Sequence, residues 1–320
     1  MKKNILVTGV MGHLGYSFAS NFSNSKNTIV GIYNKTKDLK KYNNLKNKKV
    51  ILIKNNLSDI KTLKKIIQKH NIESVVYSSA VSHEIYAKED PFKSINVNSL
   101  YLINFLNLLK ENTFSKFIYI STGSVFQDVK DSKFKINTSV IPSPKSIYSS
   151  SKRLGEVLVQ SFFDYYNLNS VVVRVSWVYG MPVLTEKINF QRGPLPFILN
   201  ELFVKNKSTF NMKTGSDFKA SFTYIKDVVN GIQSMLNKKA KFTKNTYHLS
   251  NNKNYSLKTV EKIINTQFRN KKVFIGKGVA PWSSDSVIRG PMQDKDFYKE
   301  FGFKCQFDIN KGLIDFIKQI

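Results

Sequence analysis

The stretch that most narrows the choice of fold is Thr8-Gly9-Val10-Met11-Gly12-His13-Leu14-Gly15. The residues before it, Asn4 to Thr8, form a short apolar run closed by glycine and read as a buried strand. After it, Leu14, Phe18, Ala19 and Phe22 recur at helical spacing. Strand, glycine turn, helix is the context that a dinucleotide fingerprint needs. The glycines let the backbone approach a pyrophosphate. The helix N-terminus adds N–H groups and the positive end of its dipole.

The pattern then repeats without a fingerprint. Thr28 to Tyr33, Val50 to Lys54, Ser74 to Ser78, Lys116 to Ile120 and Ser170 to Val175 read as strands. Between them, Ser58 or Asp59 caps a helix running to about His70, and Ser94 to Leu109 and Ile147 to Tyr166 are helical in period. This alternation predicts an α/β fold, a Rossmann-type doubly wound parallel sheet. Ligands in such sheets sit at the strand C-terminal ends, where Gly9, Ser79, Ala80 and Thr122 fall. His83 follows in the loop after Ala80. A histidine there faces a ligand or, more often, solvent.

Beyond residue 177 the regularity drops, with Gly180, Pro182, Gly193, Pro194 and Pro196 marking loops. The expected organisation is a dinucleotide-binding domain over residues 1–176. A smaller, mainly substrate-binding lobe covers 177–320, with returns to the main sheet. Pro196 to Val204, Lys226 to Leu236, Ser256 to Phe268 and Asp308 to Ile317 read as helices, and Thr246 to Leu249 as a strand.

A net charge of +28 raises the question of a nucleic-acid partner. The 45 lysines against 5 arginines look like a lysine-biased background, because phosphate readers favour arginine forks. The densest run, Lys35 to Lys49, falls in a predicted loop. The expectation is no nucleic acid, with the charge steering anionic small molecules. Cys305 is the single cysteine, so no disulfide framework exists and a reducing, cytoplasmic compartment is expected. The apolar run after Lys3 is too short for a signal peptide. The longest apolar candidate for a membrane span, Ser170 to Val183, is interrupted by Arg174. No metal site is expected.

Tyr148 and Lys152 stand four apart, one helical turn, on a shared face. A cation so placed lowers a tyrosine pKa and makes Tyr148 a candidate acid/base. At the end of the second strand the chain reads Tyr33-Asn34-Lys35, without the carboxylate that holds a ribose 2′-hydroxyl in NAD-binding versions. Lys35 and Lys37 can meet a 2′-phosphate, so NADP is favoured slightly over NAD.

The ordered set of motifs carries a resemblance. It comprises TGxxGxxG at Thr8 to Gly15, Ser79-Ala80, Asp90-Pro91 with Asn96-Val97-Asn98, and Ser121-Thr122. Tyr148-xxx-Lys152, Arg174 to Gly180, and Phe222-Thr223-Tyr224-Ile225-Lys226-Asp227-Val228 complete it. The chain resembles the extended short-chain dehydrogenase/reductases, in their NAD-dependent epimerase/dehydratase branch, over nearly its whole length. The resemblance implies a cofactor cradle of Gly9, Met11, Gly12, His13, Leu14 and Gly15. It adds Asn34 and Lys35, and Asn56 and Leu57 where the branch often has an aspartate near the adenine. Ser79, Ala80 and Asn96 join the same site, Asn96 as a support of Lys152 through water. Tyr148 would be the acid/base, Lys152 would tune it and hold the nicotinamide ribose, and Thr122 would bond the reacting oxygen.

Departures from the branch matter as well. The 4,6-dehydratases follow the threonine with Asp-Glu; here Gly123 and Ser124 stand there, which argues against dehydration. Trp177 replaces an asparagine common in epimerases, and Lys219-Ala220-Ser221 replaces a diphosphate-gripping arginine. Arg192 and Arg289 are candidate replacements. With His83, Thr122, Gly123, Ser124 and Trp177 they form the candidate substrate set. The segments Ser121 to Phe126 and Arg174 to Gly180 are closer to 4-keto-sugar reductases. The implied function is an NAD(P)-dependent epimerase or reductase acting on a nucleotide-linked hexose, as a homodimer. The alternative is a dinucleotide-binding sensor or scaffold without catalysis.

Overall fold

The computed structural model describes residues 4–22, 28–35, 38–110, 116–129, 133–182, 193–280 and 290–320. The first strands and helices alternate as their periodicity demands. They are β1 (Asn4–Thr8), α1 (His13–Phe22), β2 (Thr28–Tyr33), α2 (Leu39–Asn47), β3 (Ile51–Lys54), α3 (Ile60–Lys69) and β4 (Ser74–Tyr77). Next come α4 (Glu84–Glu89), α5 (Pro91–Ile95), a π-helical segment (Asn96–Leu100), α6 (Tyr101–Lys110), β5 (Lys116–Thr122), α7 (Ile147–Tyr166) and β6 (Ser170–Val175). β1 pairs in parallel with β2 and β4, β2 with β3, and β4 with β5.

Later elements are β7 (Val178–Tyr179), α8 (Pro194–Leu199), β8 (Thr209–Met212), β9 (Lys219–Ala220), β10 (Thr223–Tyr224), α9 (Ile225–Asn237) and β11 (Thr246–Leu249). β12 (Tyr255–Ser256), α10 (Leu257–Gln267), β13 (Lys272–Ile275), α11 (Lys295–Phe301) and α12 (Ile309–Ile317) end the chain. The main sheet has seven strands in the order β11-β6-β5-β4-β1-β2-β3. Strand order reverses between β1 and β4, which opens a crevice at their C-terminal ends.

The chain divides into two compact units. The first comprises 1–122, 146–174 and 229–247; the second comprises 123–145, 175–228 and 248–320. In the first unit, one sheet face carries Leu6, Val30, Val75, Tyr77, Phe117 and Tyr119. Leu63 and Ile66 of α3, Phe105 and Leu109 of α6, and Val159 and Phe162 of α7 bury against it. These fully apolar strands read as continuous runs because a parallel sheet covered by helices has no wet face. The second unit is built of small pairs: β7 with β10 and β8 with β13 in parallel, β9 with β12 antiparallel. There the Asp227 carboxylate accepts from the Gln306 and Phe307 amides at 2.8 and 3.0 Å, tying the start of α9 to the segment before α12.

One expectation fails within Lys35 to Lys49. The predicted loop contains α2, with Asp38 as N-cap accepting from the Lys41 amide at 2.9 Å. Its only fully buried residue is Leu45, so the apolar stripe is one residue deep and gave no periodicity to read. The predicted helix Ser94 to Leu109 is likewise split by its π segment.

Candidate active site

The glycine turn sits where β1 ends and α1 begins. Gly9 has a φ of +65°, and a Cβ there would lie 2.9 Å from the Cα and Oγ of Ser79. A Cβ on Gly15 would lie 2.5 Å from the Gly9 carbonyl oxygen and 2.8 Å from Ser78 Oγ. Thr8 stitches the same region to β4: its Oγ1 accepts from the Ser78 and Ser79 amides, and its carbonyl accepts from Ser78 Oγ at 2.6 Å. The result is a tight, side-chain-free cradle over the first turn of α1. The residues present therefore fit a dinucleotide pyrophosphate.

Thr122 closes β5, and α7 brings Tyr148 to it. The helix starts with a capping box in which Ser146 and Ser149 each accept from the other's backbone amide. Gly155 then lets α7 lie flat on β5, since a Cβ there would fall 2.3 Å from the Tyr119 hydroxyl. A mid-helix glycine costs about 1 kcal/mol against alanine, so this one marks a close approach. The Tyr148 phenol hydrogen-bonds Thr122. Lys152 Nζ donates to the Ile120 carbonyl at 2.7 Å and lies 4.0 Å over the Tyr119 ring.

The electrostatics differ from the simplest reading of the motif. The Lys152 ammonium is bonded to the Ile120 carbonyl, and burial of the phenol dominates the Tyr148 shift. Burial raises Tyr148 to about 12, Thr122 opposes that shift, and Glu84 adds to it. Lys152 itself is brought down to about 7 by burial, with Glu156 opposing.

The family model for NAD dependent epimerase/dehydratases matches residues 5–250, a span holding the cradle, Thr122, Tyr148 and Lys152. The chain belongs to the NAD-dependent epimerase/dehydratase family. It is 29% identical over 250 residues to dTDP-D-glucose 4,6-dehydratase of Dictyostelium discoideum, covering 74% of this chain and 56% of that one. It is 23% identical over 322 residues to dTDP-4-dehydro-6-deoxyglucose reductase of Escherichia coli, covering 100% and 98%. Among solved structures, UDP-glucose 4-epimerase of Thermotoga maritima, crystallised with UDP-glucose, has a TM-score of 0.85 at 18% identity, covering 98% of this chain and 97% of that one. That last likeness is one of fold.

The other motif residues fall after the strand C-terminal ends. Met11, Gly12, His13 and Leu14 follow β1; Asn34 and Lys35 are exposed after β2; Asn56 and Leu57 follow β3, with Asn56 exposed and Leu57 buried. Asn56 Oδ1 accepts from the Ser58 amide at 3.2 Å. Ser79 and Ala80 follow β4, partly buried. His83 is partly buried at the start of α4 with a φ of +79°, its ring edge-on to Tyr86. Asn96 is partly buried in the π segment.

Gly123 and Ser124 form a 3₁₀ turn in the second unit. Trp177, also in that unit, has a φ of +40° and packs edge-on against Phe218 and Phe222. Lys37, Arg192 and Arg289 lie outside the described residues.

Four further residues, to which the sequence assigns no site role, support the site. Asn98, fully buried, accepts from the Val81 amide at 2.9 Å and donates to Ser151 Oγ at 2.8 Å, so it pins the loop after β4 to α7. The π segment supplies its aim, since one extra residue per turn re-orients a side chain. Glu84 accepts from Ser146 Oγ at 3.0 Å beside the start of α7. Glu156 and Arg174 form a buried ion pair at 2.8 Å. Only the i, i+4 spacing of Lys152 and Glu156 hinted at this last group.

Proposed function

We propose that this chain is an NAD(P)-dependent 4-keto-sugar reductase or epimerase of nucleotide-linked hexoses, in which Tyr148 moves the proton. The observation that carries this reading is the Tyr148–Thr122 hydrogen bond at the C-terminal end of β5, with Lys152 anchored two residues earlier on the same strand. A phenol and a hydroxyl so paired can bond one substrate oxygen together. When bound, the nicotinamide supplies or accepts the hydride, and the chain supplies position and field.

The resting protonation state favours reduction. A phenol held near 12 keeps its proton at neutral pH, ready for an oxygen that becomes an alkoxide as its carbon gains hydride. Thr122 holds that oxygen, and Lys152, near 7, is partly charged and adds positive potential below the pair. Gly123 and Ser124 carry no acid that could expel water, so dehydration has no proton donor there.

For the cofactor, the end of β2 offers Tyr33, Asn34 and Lys35, while the next carboxylate, Asp38, caps α2. We read the site as taking NAD or NADP. Its substrate is nucleotide-linked, in line with the names its relatives carry. The family dehydratases are set aside on the residues at 123 and 124. Turnover of 4-keto and 4-hydroxy nucleotide hexoses with each reduced or oxidised cofactor tests the proposal. Reduction of a 4-keto sugar, or interconversion of 4-epimers, supports it; loss of water from a 4-hydroxy substrate overturns it.

The helix faces of the first unit also suggest self-association. Phe92, Leu100, Leu154, Val157 and Tyr165 are apolar and exposed on α5, the π segment and α7. We read them as the contact of a homodimer.

A further inference from the structure

Glu156 is a carboxylate with no access to solvent, one helical turn beyond Lys152 on the same face of α7. Such a group is costly to bury unless paired and fully bonded. Here Arg174 Nε and Nη2 both donate to it at 2.8 Å, in the two-pronged geometry of a strong pair. Arg153 Nη1 adds a third contact at 3.0 Å and Ser121 Oγ a fourth at 2.6 Å. Ser121 precedes Thr122 directly, so the carboxylate is bonded to the strand end that holds the reacting groups. An apolar pair would fill this space at less cost. The expense points to a role for the charge.

We propose that Glu156, fixed by Arg174 and Ser121, is a positioning residue that keeps Lys152 charged. The inference rests on the reading of Tyr148, Thr122 and Lys152 given above. Lys152 needs such help because it is almost completely buried. Its ammonium has the Ile120 carbonyl and the Tyr119 face, and burial drives it toward neutrality while Glu156 opposes that drive.

The other titratable or charged groups around it come from every packed element. Tyr77 on β4 and Tyr119 on β5 are buried phenols shifted well into the alkaline range, and Tyr148 is near 12, so none supplies a negative charge at neutral pH. Glu84 on α4 bears on Tyr148, Arg153 is on α7, and Arg174 on β6. The Arg153 and Arg174 guanidiniums favour loss of the Lys152 proton, and among these described residues Glu156 is therefore the negative charge that opposes it. Arg174 fixes its direction and neutralises part of its cost.

The test compares wild type, Glu156→Gln and the double variant Glu156→Met/Arg174→Met, each with and without Lys152→Met. The single Gln variant strands Arg174 and can fail to fold. The double variant removes both charges and keeps the volume. Melting temperature against pH, with and without Lys152→Met, reads the Lys152 proton with no substrate present. The alkaline limb of the kcat/KM profile on a 4-keto nucleotide hexose reads it during turnover.

The expected result is that the pH at which Lys152 loses its proton falls by at least half a unit in the folded Glu156 variants, by both readouts. An unchanged thermal profile in the folded double variant, or failure of that variant to fold at any pH, overturns the proposal. Should no substrate turn over, the functional reading fails, while the thermal arm still decides the role of Glu156.

Discussion

The Lys152 ammonium donates to the Ile120 carbonyl at 2.7 Å, so the first turns of α7 are bonded to the strand that ends in Thr122. That bond sets the separation of Tyr148 from Thr122 through the backbone of two rigid elements. It also leaves a cation buried, and the cost of that burial is measurable.

Burial lowers Lys152 from 10.5 to about 7. Between these values the unfolded chain holds a proton that the folded chain has released, so stability rises with pH across the window. Below it the buried cation costs stability in full. Lys152→Met removes the effect. Its melting temperature relative to wild type is expected to be highest below pH 7 and to decline steadily through the alkaline range. A difference that stays flat with pH contradicts this.

The glycine cradle separates stability from binding. Gly15→Ala drives a methyl to 2.5 Å from the Gly9 carbonyl, and overpacking of this kind costs about 1–3 kcal/mol. Gly12→Ala meets its nearest atom at 3.1 Å and is exposed, so it is expected to melt near wild type yet bind the dinucleotide more weakly. Calorimetric titration beside thermal melts checks both. Equal cofactor affinity in Gly12→Ala counts against the cradle.

Much of this was legible in the residues. The buried strands of the sheet and the full span of α7 followed from apolar runs and period, and β6 and β11 fell at their expected residues. The charged support was not legible. Glu156 and Arg174 are 18 residues apart and meet only because α7 packs back on β6. Asn98 was hidden by the π segment, since a regular helix aims that position elsewhere. The sign of the Tyr148 shift was not legible, because spacing alone does not say how deeply a phenol is buried. α2 was missed because its stripe is a single leucine.

Asn98 joins Val81 to Ser151 with no exposed atoms. Asn98→Ala leaves buried backbone groups unpaired, at a cost of about 1–3 kcal/mol. Its melting temperature is expected to fall by several degrees, and Asn98→Asp is expected to recover only part of the loss. Urea or thermal unfolding checks the order of the three proteins.

The exposed apolar residues on α5 and α7 give an assembly test. Leu154→Lys, at 43% exposure, is expected to leave the fold intact and shift the protein from dimer to monomer in light scattering. A wild type that is monomeric at all concentrations removes the dimer.

Single-turnover hydride transfer in Tyr148→Phe tests the centre of the account most directly. With a 4-keto nucleotide hexose and reduced cofactor, the variant is expected to bind cofactor as wild type does and to transfer hydride at least about 100-fold more slowly, the span of a lost general acid. Transfer at the wild-type rate, with the phenol gone and the cofactor bound, would contradict it.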